Sequence, residues 1–105
     1  MKYANGSIMQ SPFYGRSCYL CVLWQRDYSE KSILHKHHVF MGPLRKMSER
    51  EGFFVWLCPK HHILGKHAVH RDYDACRMLQ RTAQEIYEAD HTREEFMRLT
   101  GKSYL

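Results

Sequence analysis

The chain has 105 residues, with 16 lysines and arginines against 11 aspartates and glutamates, which gives a formal net charge of +5. This length predicts one domain with a thin stability margin, for which a structural metal is a usual remedy. The basic balance favours a polyanionic partner, nucleic acid first. No apolar run approaches transmembrane length, and no apolar signal-peptide segment follows Met1, so we expect no membrane partner and a cytoplasmic location.

Residues 1–17 are rich in glycine, serine and proline and show no sustained hydrophobic period. This pattern predicts an irregular N-terminal arm, and we expect it to pack through Phe13 and Tyr14. Residues 18–105 contain no repeat, low-complexity segment or linker, so they are expected to form a single zinc-containing domain.

Two short motifs with matching spacing predict a structural zinc site. Cys18 and Cys21 form the first motif, and Cys58 and His61 form the second. Four cysteines could also make two disulfides, but cysteines at knuckle spacing in a chain without an export signal are typical of metal ligands. Three thiolates and one imidazole make a closed, tetrahedral zinc site. The neighbouring His62 is the alternative fourth ligand.

The sequence predicts two strands between these motifs. Residues 22–30 turn polar and are expected to form a loop. Residues 33–40 alternate well enough for a strand, and residues 53–57 are a short, fully apolar β-run. The S-x-x-E pattern of residues 48–51 predicts a capping box that opens a short helical turn, which Gly52 ends.

Two helices are predicted after the second motif. Asp72 is a candidate N-cap for a helix that runs to about residue 89 with one apolar face. That face comprises Cys76, Leu79, Ala83, Ile86 and Tyr87. We therefore expect Cys76 in the core and not at a metal. Thr92 opens a capping box for a short helix through Leu99, which Gly101 ends.

Besides His61, six histidines lie within residues 35–70: His35, His37, His38, His62, His67 and His70. Each one alone is explained as a solvated or hydrogen-bonded side chain. Together, beside a zinc knuckle in a basic domain, they indicate a second metal site. Three neutral imidazoles around a divalent cation leave open coordination positions, which is typical of a catalytic site. A further histidine held off the metal could take a proton from water near neutral pH.

These motifs resemble the HNH, or ββα-metal (His-Me finger), endonucleases, especially the small phage and prophage type with a zinc knuckle. The resemblance lies in residues 18–21, 37–40, 57–62 and 65–70. It implies an α+β fold, with a ββα-metal core stapled by structural Zn²⁺ and followed by C-terminal helices. It also implies hydrolysis of phosphodiester bonds in DNA with one catalytic divalent cation (Mg²⁺, Mn²⁺, Ni²⁺ or Zn²⁺). For a phage-encoded chain, the expected location is the host cytoplasm.

The resemblance also assigns roles to individual histidines. In its paired histidine motif, His37 binds the catalytic metal and His38 is the general base. His62 matches a second ligand of the same metal. His70 completes the site, with His67 as the alternative.

This chain departs from the family pattern at two positions. The middle asparagine would fall near Phe53 and is absent, so another group must orient the base. The second knuckle motif ends in His61 where cysteine is usual, which zinc tolerates. Successive side chains of a regular strand point to opposite faces. His37 and His38 therefore address one phosphate only if the strand bends, bulges or ends between them. In a regular strand His35 shares the face of His37 instead, and the role assignments shift.

The working hypothesis is one-metal hydrolysis in which His38 deprotonates a water molecule. Arg45, Lys46 and Lys66 are expected to neutralise flanking phosphates. The first alternative is a zinc-stabilised module that binds nucleic acid without cutting it, which the missing asparagine favours. The second alternative is a protein-interaction or inhibitory factor. The sequence leaves the oligomeric state and any protein partner open.

Overall fold

The computed structural model describes residues 2–12 and 15–105, so the predicted packing of Phe13 and Tyr14 lies outside the described residues. Its elements are α1 (Tyr19–Gln25), β1 (His35–His38), a 3₁₀ turn (Gly42–Leu44), α2 (Arg45–Glu51), β2 (Phe54–Leu57), a π turn (Lys60–Leu64), α3 (Tyr73–Tyr87) and α4 (Arg93–Thr100). The protein is thus a small α+β fold, as the sequence predicts. Among the described residues, none of the helices combines the length and the apolar character needed to cross a membrane.

β1 and β2 form a two-stranded antiparallel sheet. The register pairs His35 with Leu57, Lys36 with Trp56, His37 with Val55 and His38 with Phe54. Because side chains alternate along a regular strand, His35 and His37 share one face, and Lys36 and His38 share the other. The sheet therefore presents two histidines on one side and a third histidine beside a lysine on the opposite side.

Both strands are shorter than the predicted residues 33–40 and 53–57. The ladder covers four residues of each strand, and Ile33 is 56% exposed beyond its end. One further backbone bond, from Val39 N to Phe53 O at 2.9 Å, follows the strands before the chain turns into α2. The predicted strands are too long because apolar residues continue past the last residue that is paired in the sheet.

The first knuckle motif begins a helix that runs to Gln25, so the loop predicted for residues 22–30 begins later than expected. Cys18 is the N-cap of α1, and Val22 N donates to Cys18 O at 3.0 Å. α1 buries Leu20 and Cys21 and lies against β2. Tertiary burial of this single face stabilises a helix that is too short to be stable alone.

The capping box predicted at residues 48–51 is wrong, because α2 already begins at Arg45. Ser48 is fully buried in the helix, where its hydroxyl donates to Phe40 O at 2.8 Å and accepts from Phe40 N at 3.1 Å. The hydroxyl therefore joins α2 to the chain just beyond β1. Gly52 ends the helix as predicted, with φ +84°, and its carbonyl accepts from Ile8 N at 2.9 Å.

The two predicted C-terminal caps are confirmed. The Asp72 side chain accepts from two backbone N–H groups in the first turn of α3, and Thr92 and Glu95 form a reciprocal capping box on α4. Gly101 ends α4 in the left-handed conformation. These signals were readable from the sequence because cap bonds join residues only two or three positions apart.

The core lies between the sheet and the C-terminal helices. Phe40 is its centre, with ring centroids of Phe53, Phe96 and Tyr104 at 5.3, 5.7 and 5.0 Å. From α3, Leu79, Ala83 and Tyr87 are buried, whereas Cys76 and Ile86 of the predicted face are half-buried. This aromatic cluster holds α3 and α4 against the segment that links the two strands.

The described part of the N-terminal arm covers the free edge of β2. Ser7 is fully buried and donates through Oγ to Phe54 O at 2.6 Å. The Gln10 side-chain oxygen accepts from Trp56 N at 2.7 Å. Polar side chains thus satisfy backbone groups that a third strand would otherwise pair.

Candidate metal centres

Four buried side chains from two segments of the chain meet at one point, and we call them the knuckle site: Cys18, Cys21, Cys58 and His61. His61 Nδ1 lies 3.6 Å from Cys18 Sγ, 3.4 Å from Cys21 Sγ and 3.5 Å from Cys58 Sγ. The Sγ atoms of Cys21 and Cys58 lie 3.7 Å apart.

These distances match the edges of a zinc tetrahedron. Bond lengths of about 2.3 Å to sulfur and about 2.05 Å to nitrogen imply S···S edges near ~3.8 Å and S···N edges near ~3.5 Å. All four cysteines of the chain are free thiols, and Cys76 lies on α3 outside the cluster. The four knuckle residues could therefore hold a metal ion, and their donor set fits structural zinc.

Two of the three thiols of the knuckle site, Cys18 and Cys21, resist ionisation without a cation. Burial raises the pKa of Cys18, and burial together with the neighbouring thiols raises the pKa of Cys21 to about 12. Burial also opposes ionisation of Cys58, but the backbone N–H of His61 and the other two thiols outweigh it and lower its pKa. A divalent cation supplies the positive charge that would keep all three sulfurs ionised.

The side chains of two consecutive histidines in the π turn point in different directions. His61 points into the knuckle site, whereas His62, the alternative fourth ligand, points away towards β1. Backbone bonds from Val69 N to His61 O at 2.9 Å and from His70 N to His62 O at 3.3 Å fold the following loop back. This return places His70 beside His62. Single π turns of this kind occur frequently at functional sites.

The second cluster, which we call the histidine site, comprises His37, His62 and His70. Their potential ligand atoms all lie within 4.8 Å of one another. His62 Nε2 and His70 Nε2 are 3.0 Å apart, and the His37 ring centroid lies 5.3 and 5.1 Å from those of His62 and His70. The structure thus brings together one residue of β1, one of the π turn and one of the loop before α3.

His37 has the features of a metal ligand. Its side chain is 2% exposed, and its Nε2 has no hydrogen-bond partner among the residues that the structure describes. Burial, followed by the nearby His62 and His70, lowers the pKa of His37 to about 3. Burial, followed by the nearby His70 and His35, lowers the pKa of His62 to about 4. Both imidazoles are therefore neutral at physiological pH, and neutral imidazole is the form that binds metals.

The other histidines of the predicted set lie outside this cluster. His67 is exposed, and its Nδ1 lies 2.9 Å from Asp72 Oδ2, so the structure brings His70 and not His67 to the site. His35 shares the face of His37, and its Nδ1 lies 2.9 Å from Nδ1 of His62. β1 is regular between His37 and His38, so the alternative holds in which His35 shares the face of His37.

His38 lies on the opposite face of β1, where its partner is a carboxylate. The His38 Nε2 atom is 2.7 Å from Glu49 Oε1, and Lys36 Nζ is 2.9 Å from Glu49 Oε2. The hydrogen bond from His38, followed by that from Lys36, lowers the pKa of Glu49. The S-x-x-E pattern gives Glu49 no role, because only Ser48 and Glu51 take part in a capping box. The sequence feature that could have indicated this contact is the short connection between β1 and α2, which places α2 close to the end of β1.

His38 nevertheless lines the same cavity as the histidine site. The cavity has a volume of about 300 Å³ and is also lined by Lys36, Met41 and Arg45. Of the predicted phosphate-binding cations, Arg45 is therefore at the site, whereas Lys46 and Lys66 are exposed and do not line it. Lys36 is a second cation at the cavity and is not among the predicted phosphate-binding residues.

Comparison of this chain with protein-family models, with curated proteins and with solved structures finds no match. The fold and the two clusters define the protein as a small α+β domain with a candidate zinc knuckle and a second group of three convergent histidines.

Proposed function

We propose that this protein is an HNH-type endonuclease that hydrolyses phosphodiester bonds in DNA with the help of one divalent cation. The observation that supports it best is the convergence of His37, His62 and His70 in one cavity with His38. Three metal-binding side chains and a separate proton acceptor are the parts that metal-assisted hydrolysis needs.

The three residues of the histidine site fit a divalent cation. The buried Nε2 of His37 lacks a hydrogen-bond partner in the described part of the chain, and a metal would satisfy its lone pair. An all-imidazole set suits zinc, nickel and similar first-row cations better than magnesium. When bound, such a cation stabilises the charge that develops on the phosphate and on the leaving 3′ oxygen.

His38 is the proposed general base. Because its Nε2 donates to the Glu49 carboxylate, its Nδ1 carries the free lone pair. In the proposed step, a water proton moves to His38 Nδ1, and the resulting hydroxide attacks the phosphorus in line. The bond from phosphorus to the 3′ oxygen then breaks. Glu49 takes the orienting role for which the sequence offered no asparagine.

Two cations of the cavity, Lys36 and Arg45, are proposed to bind the phosphates that flank the scissile bond. Lys36 contacts Glu49 at 2.9 Å and lies 4.0 Å from the Phe54 ring centroid, so its ammonium group is placed at the edge of the cavity. Arg45 is exposed at the start of α2, where its side chain can adjust to a bound DNA strand. The net charge of +5 supports the same polyanionic substrate.

A second candidate is a zinc-stabilised module that binds nucleic acid without cutting it. The observation in its favour is that both ring nitrogens of His62 have histidine partners, at 2.9 Å in His35 and at 3.0 Å in His70. Hydrogen bonds among these histidines therefore account for part of the cluster without a second metal.

A plasmid-nicking assay tests the proposal, with metal content measured on each protein first. Wild type, His38→Ala and His91→Ala would be compared with Mg²⁺, Mn²⁺, Ni²⁺, Zn²⁺ or EDTA. His91 is the matched control because it stacks on Tyr87 at the far end of α3 from His70. Nicking that needs the divalent ion, and that is lost in folded, zinc-loaded His38→Ala alone, supports the nuclease. DNA retained in a gel shift without any nicking supports the binding module instead.

A further inference from the structure

His35 makes a specific contact with the histidine site although it does not belong to it. It is the first residue of β1, is half-buried, and its Nδ1 lies 2.9 Å from His62 Nδ1. The two ring centroids are 4.9 Å apart. His35 is not in the group whose ligand atoms all lie within 4.8 Å of one another.

The contact uses the ring nitrogen of His62 that does not face His70. His62 Nε2 lies 3.0 Å from His70 Nε2, so Nε2 is the atom that faces the centre of the histidine site. A neutral imidazole carries one hydrogen, and a nitrogen that binds a metal must give up its own. For His62 to bind through Nε2, its hydrogen must therefore be on Nδ1, and His35 Nδ1 is at the distance of an acceptor for it.

We propose that His35 is a positioning residue for His62, which accepts the Nδ1–H hydrogen and so fixes the tautomer and the ring orientation that metal binding needs. The proposal rests on the divalent cation site of the proposed function. Hydrogen-bond partners of this kind raise the basicity of a ligating histidine and hold its ring. His35 in turn carries its own hydrogen on Nε2.

The register of the sheet explains why this partner is available. His35 and His37 are two residues apart on one face of β1, so their side chains lie side by side. His62 contacts both rings, with centroids at 4.9 Å from His35 and 5.3 Å from His37. One strand thus provides both a ligand and the group that orients the next ligand.

Metal titration on protein that carries one zinc per chain tests this role without DNA. The variants are His35→Leu, which removes the acceptor, His35→Asn, which offers an amide oxygen near the place of Nδ1, and His91→Leu as the control. Cobalt(II) is added, binding is followed by calorimetry and by visible absorption, and thiolate-to-cobalt bands report any exchange at the knuckle site.

We expect His35→Leu to weaken binding of the second metal by about 10- to 100-fold, the usual loss when the hydrogen-bond partner of a ligand is removed. His35→Asn should recover most of the affinity, and His91→Leu should bind like wild type. Unchanged binding by His35→Leu would overturn the proposal, and so would equal weakening by Leu and Asn, which would indicate packing alone. A wild-type chain that binds only one metal would overturn both this proposal and the metal site of the proposed function. Absence of nicking by a wild-type protein that binds both metals would contradict the nuclease alone.

Discussion

His61 and His62 are consecutive residues in one π turn, yet their imidazoles belong to different clusters. His61 Nδ1 lies 3.4 Å from Cys21 Sγ, whereas His62 Nε2 lies 3.0 Å from His70 Nε2. The carbonyls of the same two residues accept the backbone bonds that fold the next loop back. The turn that one metal would fix therefore also positions two of the three residues of the histidine site.

This relationship predicts one-way dependence between the two centres. Cys21→Ala should lose both metals, because an unclamped π turn no longer holds His62 beside His70. His62→Ala should lose only the second metal and keep the knuckle zinc. Metal content per chain, measured on the purified proteins by atomic emission, checks both outcomes. Cys76→Ala is the control, since Cys76 lies outside both clusters, and it should retain two metals. Retention of the second metal by Cys21→Ala would show that the centres are independent.

Glu49→Gln should reduce nicking while leaving the fold intact. The amide cannot accept from His38 Nε2 as strongly as the carboxylate and offers no charge to the imidazolium that forms. A positioned base contributes about 10²–10⁴-fold to rate, so a loss of about tenfold or more in kcat is expected when its orientation is weakened. Glu51→Gln is the matched control, because Glu51 pairs with Arg50 and not with His38. DNA affinity in a gel shift should stay near wild type, and an unchanged kcat in Glu49→Gln would contradict the orienting role.

The buried His37 should make the protein less stable in acid when only the knuckle zinc is bound. The pKa of His37 is about 3 in the folded protein, against an ordinary value of 6.5. Between these values the unfolded chain binds a proton that the folded chain does not, so the free energy of unfolding falls as the pH falls. From about pH 7.5 to about pH 5.5 this single group should remove about 1.4 kcal/mol.

Urea unfolding at the two pH values, on wild type and on His37→Leu, measures that contribution. The wild type should lose more stability on acidification than the variant, by about 1.4 kcal/mol. An equal loss in the two proteins would mean that His37 titrates normally in the folded state.

Ser48→Ala should destabilise the fold by about 1–3 kcal/mol, because it leaves the buried N–H of Phe40 without its partner. The Ser48 hydroxyl exchanges two hydrogen bonds with the Phe40 backbone, at 2.8 and 3.1 Å. Chemical denaturation of the zinc-loaded protein gives the change in the free energy of unfolding. The exposed Ser32 provides the control, and Ser32→Ala should change stability by less than about 0.5 kcal/mol. A similarly small change in stability for Ser48→Ala would contradict the stabilising role of the Ser48 hydroxyl.

The features that the sequence predicts best are those that depend on bonds between residues close together in the chain. Asp72 and Thr92 each cap a helix through bonds to residues two or three positions ahead, so the pattern and the structure agree. The knuckle site was also readable, because each motif supplies two ligands from one turn of backbone. The S-x-x-E pattern at Ser48 is equally local, but its prediction is wrong. The Ser48 hydroxyl bonds instead to the backbone of Phe40, which belongs to a different segment.

The composition of the sequence determined that there are enough histidines for a second site, but not which of them converge. That choice was made by the β1–β2 register, which puts His37 on one face and His38 on the other, and by the backbone bonds that return His70 to His62. Tertiary structure also decided that Glu49 faces His38 and that the N-terminal arm covers the edge of β2. Cap and ligand motifs depend on bonds within one turn, which a short stretch of residues specifies. The histidine site depends on contacts between segments far apart in the chain, and only the packed fold brings them together.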